Sequence, residues 1–178
     1  MKTRWSRAAV LAALVAAAVP AVTQAQSTTY SAEVRRTSFG IAHVKAADYG
    51  SIGYGVGYAF AQDNFCMMAD EFVTVRGERS RYFGTSGSSV YGVNNLLSDV
   101  FYTYFNGDGA ALMAGFNTMK PEVQAAFRGW AAGYNRYLRD TGAANVPGGC
   151  ANAPFLRAID EVDMARLVRR YALQASSG

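Results

Sequence analysis

Residues 56–75 place an apolar side chain on nearly every face of a helix. Val56, Ala59, Phe60, Phe65, Met67, Met68, Phe72, Val73 and Val75 do not sort onto one stripe at 3.6 residues per turn, and a helix apolar all round is one its surroundings must bury. Asp48 stands where it can cap this helix, with a start near 49–51. The charged run from Arg76 to Arg81 and the stop at Phe83-Gly84 mark its emergence near Gly77, where the bland reading is a solvated helix end. Asp63 falls on the same stripe as Val56, Phe60 and Met67, so its carboxylate is expected to be buried and therefore paired. A catalytic acid is one reading. The residue types favour an ion pair with one of the arginines that locks the helix, with Gln62 and Asn64 in the same network.

The first 25 residues read as a signal peptide. Lys2, Arg4 and Arg7 precede the apolar run from Ala8 to Val19, and Pro20 with Thr23-Gln24-Ala25 forms a cleavage site. The run is shorter than the ~20 apolar residues that span a bilayer. An exported protein in the periplasm or secreted, without a membrane anchor, is expected. Removing the segment takes the formal charge from +4 to +1, with 14 basic against 13 acidic residues. The electrostatic case for nucleic acid goes with it. Residues 26–178 are enough for one domain with a core, and their only lysines are Lys45 and Lys120.

Segments 32–37 and 41–45 alternate in character around Ser38-Phe39-Gly40 and read as two short strands. Residues 84–92 are a Gly/Ser loop. Helices are expected over 96–105 and 111–119, from Pro121 to a stop at Thr141-Gly142, and from an Asp160 cap with Asp163 at its third position. Gly53 and Gly57 make a bare helix face for another backbone; Gly53-Tyr54-Gly55-Val56-Gly57 lacks the strand and spacing of a dinucleotide loop.

His43 is the only imidazole and no Gly-x-Ser-x-Gly elbow is present, so a self-contained hydrolase is not expected; alone, His43 reads as a packed strand residue. Cys66 and Cys150 are the only cysteines. In an exported chain a bridge between them is expected, with two separate buried thiols as the alternative. Two cysteines and one distant histidine do not supply a metal site.

Five motifs follow in order from Tyr30 to Gly84: Arg35-Arg36 with Thr37-Ser38-Phe39-Gly40-Ile41, Asp48-Tyr49-Gly50, Gly55-Val56-Gly57-Tyr58, Ala61-Gln62-Asp63-Asn64, and Arg76-Gly77-Glu78-Arg79-Ser80. The stretch resembles the opening of the small (α) subunit of the penicillin-acylase-like N-terminal-nucleophile hydrolases, in the branch of acyl-homoserine-lactone and aculeacin-type acylases. The likeness is dense over 30–84 and looser over 94–105 and 155–174.

The resemblance implies an α+β fold, a mostly helical α subunit with short N-terminal strands, wrapped on an αββα core built mainly by a β subunit from the same precursor. It implies hydrolysis of the amide of an N-acylated small molecule: an acyl-homoserine lactone, a penicillin-type β-lactam or an acylated lipopeptide. The nucleophile would be a serine at the β-subunit N-terminus with its own amine as base, a group of pKa about 7.7–8.0. No catalytic residue falls in this chain, expected to be a released α subunit with its signal or a truncated precursor. Arg170-Tyr171 matches the arginine and aromatic residue that the last α-subunit helix brings to the acyl pocket. Tyr171 would wall the acyl slot and Arg170 would hold the polar part of the substrate, against ordinary helix packing as the alternative. No acid follows in 172–177, so the calcium ligand of several penicillin acylases is missing; no metal or cofactor is expected. The residues leave open a non-catalytic exported helical domain that binds a small apolar ligand, whereas the near-neutral charge disfavours a membrane-associated module.

Overall fold

The computed structural model describes residues 29–89 and 92–177; the expected signal peptide, 1–25, lies outside the described residues. Strands β1 (Ala32–Arg36) and β2 (Ala42–Ala46) form an antiparallel hairpin with Val34 opposite Val44 and Arg35 opposite His43. Their alternation sorts the faces: Ala32, Val34 and Val44 lie over Gly55 of the first helix, while Glu33, Arg35, His43 and Lys45 are exposed. Helix α1 (Tyr49–Arg76) starts where the Asp48 carboxylate accepts the Ser51 backbone N–H at 2.8 Å. It stops at Gly77, which takes a left-handed φ of 69° that a side chain would resist.

Helices α2 (Arg79–Phe83), α3 (Asn95–Asn106), α4 (Ala110–Asn117), α5 (Pro121–Thr141) and α6 (Glu161–Ser177) follow. Pro121 occupies the opening turn of α5, where its missing N–H costs nothing. At the start of α6 the Asp160 carboxylate accepts the Asp163 N–H and the Asp163 carboxylate accepts the Asp160 N–H, at 2.9 and 3.2 Å. This reciprocal cap satisfies two donors that the helix leaves open. The class is α+β, mostly helical with a two-stranded sheet.

Helices α1 and α5 are the central pair, and they cross on glycine. An added Cβ at Gly53 or Gly57 would lie 2.0 or 2.2 Å from the carbonyl oxygen of Ala126 or Trp130. On the facing helix, Gly129 and Gly133 stand in the same relation to Gly50 and Tyr54. The bare face expected of Gly53 and Gly57 is therefore half of a matched pair. Beyond the crossing, Phe65 stacks on Tyr134 with centroids 4.6 Å apart, and Phe72, Trp130 and Tyr137 close the aromatic core. Cys66 and Cys150 are bridged, tying α1 to the loop before α6. Closing an 84-residue separation contributes on the order of 4 kcal/mol through loss of unfolded-chain entropy.

Three sequence expectations are corrected. α1 is not buried all round: Ile52, Val56 and Met67 are exposed, and because Asp63 shares their stripe its side chain is half exposed as well. The period was right and the buried face was not, since an all-apolar helix carries no mark of which side is covered. The charged end of α1 is not solvated either, because Arg76 and Arg79 are buried against acidic partners. His43 faces solvent rather than packing.

Candidate functional site

Asp63 does have its arginine. The Arg36 guanidinium bonds the Asp63 carboxylate at 3.0–3.1 Å, the Gln62 side-chain oxygen at 3.0 Å, and the carbonyl oxygens of Ala59 and Gly40 at 3.2 and 2.7 Å. α1 departs from helical geometry at Asn64 (φ −137°), so Arg36 ties the hairpin to the helix beside that break. Its exposure keeps the ion pair itself small, and Asp63 and Gln62 are the two α1 side chains that receive Arg36. His43 lies beside Glu33, Arg35, Val44 and Lys45, a lining that holds no Ser, Thr or Cys. Among the described residues no three His, Cys, Asp or Glu side chains gather as metal ligands, and no helix is long and apolar enough to cross a membrane.

The C-terminal ends of α1 and α6 meet α3 at a cleft of about 530 Å³, lined by Thr74, Val93, Leu97, Ser98, Phe101, Tyr102, Arg170 and Leu173 among others. Arg170 lies in its wall, 5% exposed, and is ion-paired with Glu71 of α1, itself buried. Burial pulls the Arg170 guanidinium below the ordinary arginine range, against the opposing effects of Tyr171 and Asp70, and arginine still keeps its proton. Tyr171 is 47% exposed, its ring 5.7 Å from the Arg170 guanidinium carbon, and it is not among the lining residues. The adjacent residues of the expected pair thus point to different surroundings.

A second buried network supports the cleft. Arg79 donates to Asp70, Asn95 and Thr74 at 2.8–2.9 Å, and Asp99 accepts the backbone N–H groups of Arg79 and Ser80 at 2.7 Å. Asp70, Glu71, Asn95 and Asp99 were not singled out from the sequence. An acidic pair inside an apolar run, with Asp70 and Thr74 one turn apart, was the available signal.

Helix α3 is amphipathic in the wrong sense for an isolated fold. Its buried residues are Asn95, Ser98, Asp99 and Asn106, while Leu96, Leu97, Val100, Phe101 and Tyr104 are exposed. The spacing of the exposed set is that of one helix face.

Below α3, Arg76 holds Asp163 bidentately, Nε to Oδ1 at 2.8 Å and Nη2 to Oδ2, and Arg166 adds a contact at 3.1 Å. Burial alone would raise the Asp163 pKa, but the two arginines and the Asp160 N–H outweigh it and hold the carboxyl below its usual range. A depressed folded pKa contributes stability above the unfolded value of about 3.9, lost as pH falls through the folded one. In the complete protein, unfolding free energy should fall on acidification below about pH 4, and Asp163→Asn should flatten that acid limb in denaturant titrations.

A family model described as Penicillin amidase matches residues 31–172. The acyl-homoserine lactone acylase PvdQ of Pseudomonas putida is 41% identical over 171 residues, 96% of this chain and 22% of the relative. The aculeacin-A acylase of Actinoplanes utahensis is 35% identical over 176 residues, 95% of this chain and 22% of the relative. The chain therefore spans about a fifth of the length of these curated relatives. A thermostable penicillin G acylase from Alcaligenes faecalis shares the fold, with TM-score 0.68 and 24% identity over 85% of this chain and 77% of the solved one.

Proposed function

The chain belongs to the penicillin amidase family, and from that membership we propose that it is the α subunit, or N-terminal part, of an exported N-terminal-nucleophile acylase. The complete enzyme would hydrolyse the amide of an N-acylated small molecule through an acyl-enzyme on the first serine of a β subunit cut from the same precursor. Acyl-homoserine lactones lead the substrate list, as they name the first relative above; acylated lipopeptides and penicillin-type β-lactams are the other members of the class. Localisation in the periplasm or outside the cell follows from the signal-like residues 1–25.

The observation that carries the subunit role is α3, which buries its polar residues and leaves its leucines and aromatics outside. Such a face has to be covered. The β subunit is the occupant we propose, with the cleft beside α3 as the α-subunit wall of the acyl site. On this reading the chain contributes shape and charge, while chemistry comes from its partner.

The test is to express the gene with the remainder of its precursor and to follow release of free homoserine lactone from an N-acyl homoserine lactone. Amine release with the lactone ring intact supports the reading. Processed enzyme that releases no amine from that substrate, from penicillin G or from an acylated lipopeptide contradicts it. Tyr171 lies outside the cleft lining and is half exposed, so it would wall the acyl slot only from its exposed side, toward the β subunit. On that reading Tyr171→Ala in active enzyme should shift preference toward longer or bulkier acyl groups, changing discrimination by about 1–3 kcal/mol per methylene-scale difference. An unaltered chain-length profile would return Tyr171 to ordinary packing.

A further inference from the structure

We propose that Glu71 sets the charge of the cleft wall, so that the cleft takes an uncharged apolar group and rejects one that ends in a carboxylate. This rests on the reading of the cleft as an acyl-side wall. Val93, Leu97, Phe101 and Leu173 give the described lining its apolar character, and Arg170 is its only side chain that is charged at neutral pH. A buried guanidinium without a counter-ion would be a strong bidentate site for a carboxylate brought in by a substrate. Glu71 already stands there, reaching across from α1, with 8% of its side chain exposed against 5% for Arg170.

The neighbouring charges have contacts of their own. Asp70 is bonded to Arg79 at 2.8 Å, Asp163 to Arg76, and the Arg169 guanidinium lies over the Phe105 ring at 4.2 Å. Arg170 and Glu71 together are therefore neutral, and no further cation lines the cleft among the described residues. An incoming carboxylate would have to share Arg170 with a buried like charge, and like charges in one desolvated site repel. Glu71 thus acts on the substrate through Arg170, as a positioning residue.

The experiment compares two amides in the matured full-length enzyme: an N-decanoyl substrate and its analogue of equal length whose acyl chain ends in a carboxylate. The wild type should favour the methyl-terminated chain in kcat/KM by at least tenfold. Glu71→Gln keeps the shape and leaves Arg170 uncompensated. It should reduce that ratio at least tenfold, mainly by lowering KM for the carboxylate-terminated chain, while Glu71→Asp keeps the wild-type ratio. A Glu71→Gln enzyme that matures and keeps the wild-type ratio overturns the proposal. If Glu71→Gln does not mature, the doubly neutral Glu71→Gln/Arg170→Gln variant decides: it should retain the wild-type ratio, and a change beyond threefold overturns the proposal. Wild-type enzyme inactive on both amides defeats the acylase reading itself, a result distinct from an active enzyme with an unaltered ratio.

Discussion

Gly129→Val is expected to abolish folding of the complete protein. A Cβ at Gly129 would lie 1.9 Å from the Gly50 carbonyl oxygen and 2.9 Å from the Tyr54 nitrogen. Both are backbone atoms in the first two turns of α1 and neither can swing aside as a side chain would, so α1 and α5 would have to separate along the crossing. Gly53, Gly57 and Gly133 would lose their close approach together, and the Phe65–Tyr134 stack beyond them would open. Overpacking of a core costs about 1–3 kcal/mol where side chains can yield. A backbone clash at the central helix pair should exceed that, against a total stability of only about 5–15 kcal/mol. Gly115→Ala is the control, because Gly115 is on the exposed side of α4 and nothing lies within 4 Å of its added Cβ. It should be stabilised by up to about 1 kcal/mol through helix propensity. Circular dichroism melts and yield read both, and a Gly129→Val protein that melts within a few degrees of wild type would show that the crossing can loosen.

Residues 26–178 expressed alone are expected to be aggregated or molten. Three apolar surfaces lie open at once: the α3 face with Leu97 at 64% and Tyr104 at 90% exposed, the Ile52, Val56 and Met67 stripe of α1, and the hairpin tip with Phe39 at 91%. Patches of this kind on a single chain mark interfaces, or aggregation when the partner is missing. The disulfide and the glycine crossing do not cover them. Gel filtration and a thermal melt check the point. A monodisperse monomer with one cooperative transition would contradict the subunit reading, whereas co-expression with the rest of the precursor should give a folded complex.

What could be read in advance was local chemistry. Asp48, Pro121 and the Asp160/Asp163 pair mark helix starts because a cap is made within a few residues of itself, and Gly77 and Gly142 mark ends for the same reason. Two cysteines behind a signal-like leader pointed to one bridge. Faces were not legible where burial depends on a surface elsewhere: Asp63 shares a stripe with Val56 and Met67, and only the fold shows that this stripe looks outward. Buried charge was hidden similarly. Glu71 sits in an apolar run without a partner at helical spacing, and its arginine arrives from α6, at the other end of the described chain. Arg76 and Arg79 read as a solvated end because their acids, Asp163 and Asp70, lie on other turns and other helices.

The most direct measurement is the intact mass, under denaturing conditions, of the protein purified from an export-competent host carrying the whole gene. The account predicts two co-purifying chains: a small one lacking residues 1–25 and containing 29–172, and a large one that begins with serine. Replacing that serine should abolish the cut and amine release together. A single uncut chain that releases amine from an N-acyl homoserine lactone would contradict the proposed division of labour, because the catalytic amine could then not be a chain terminus.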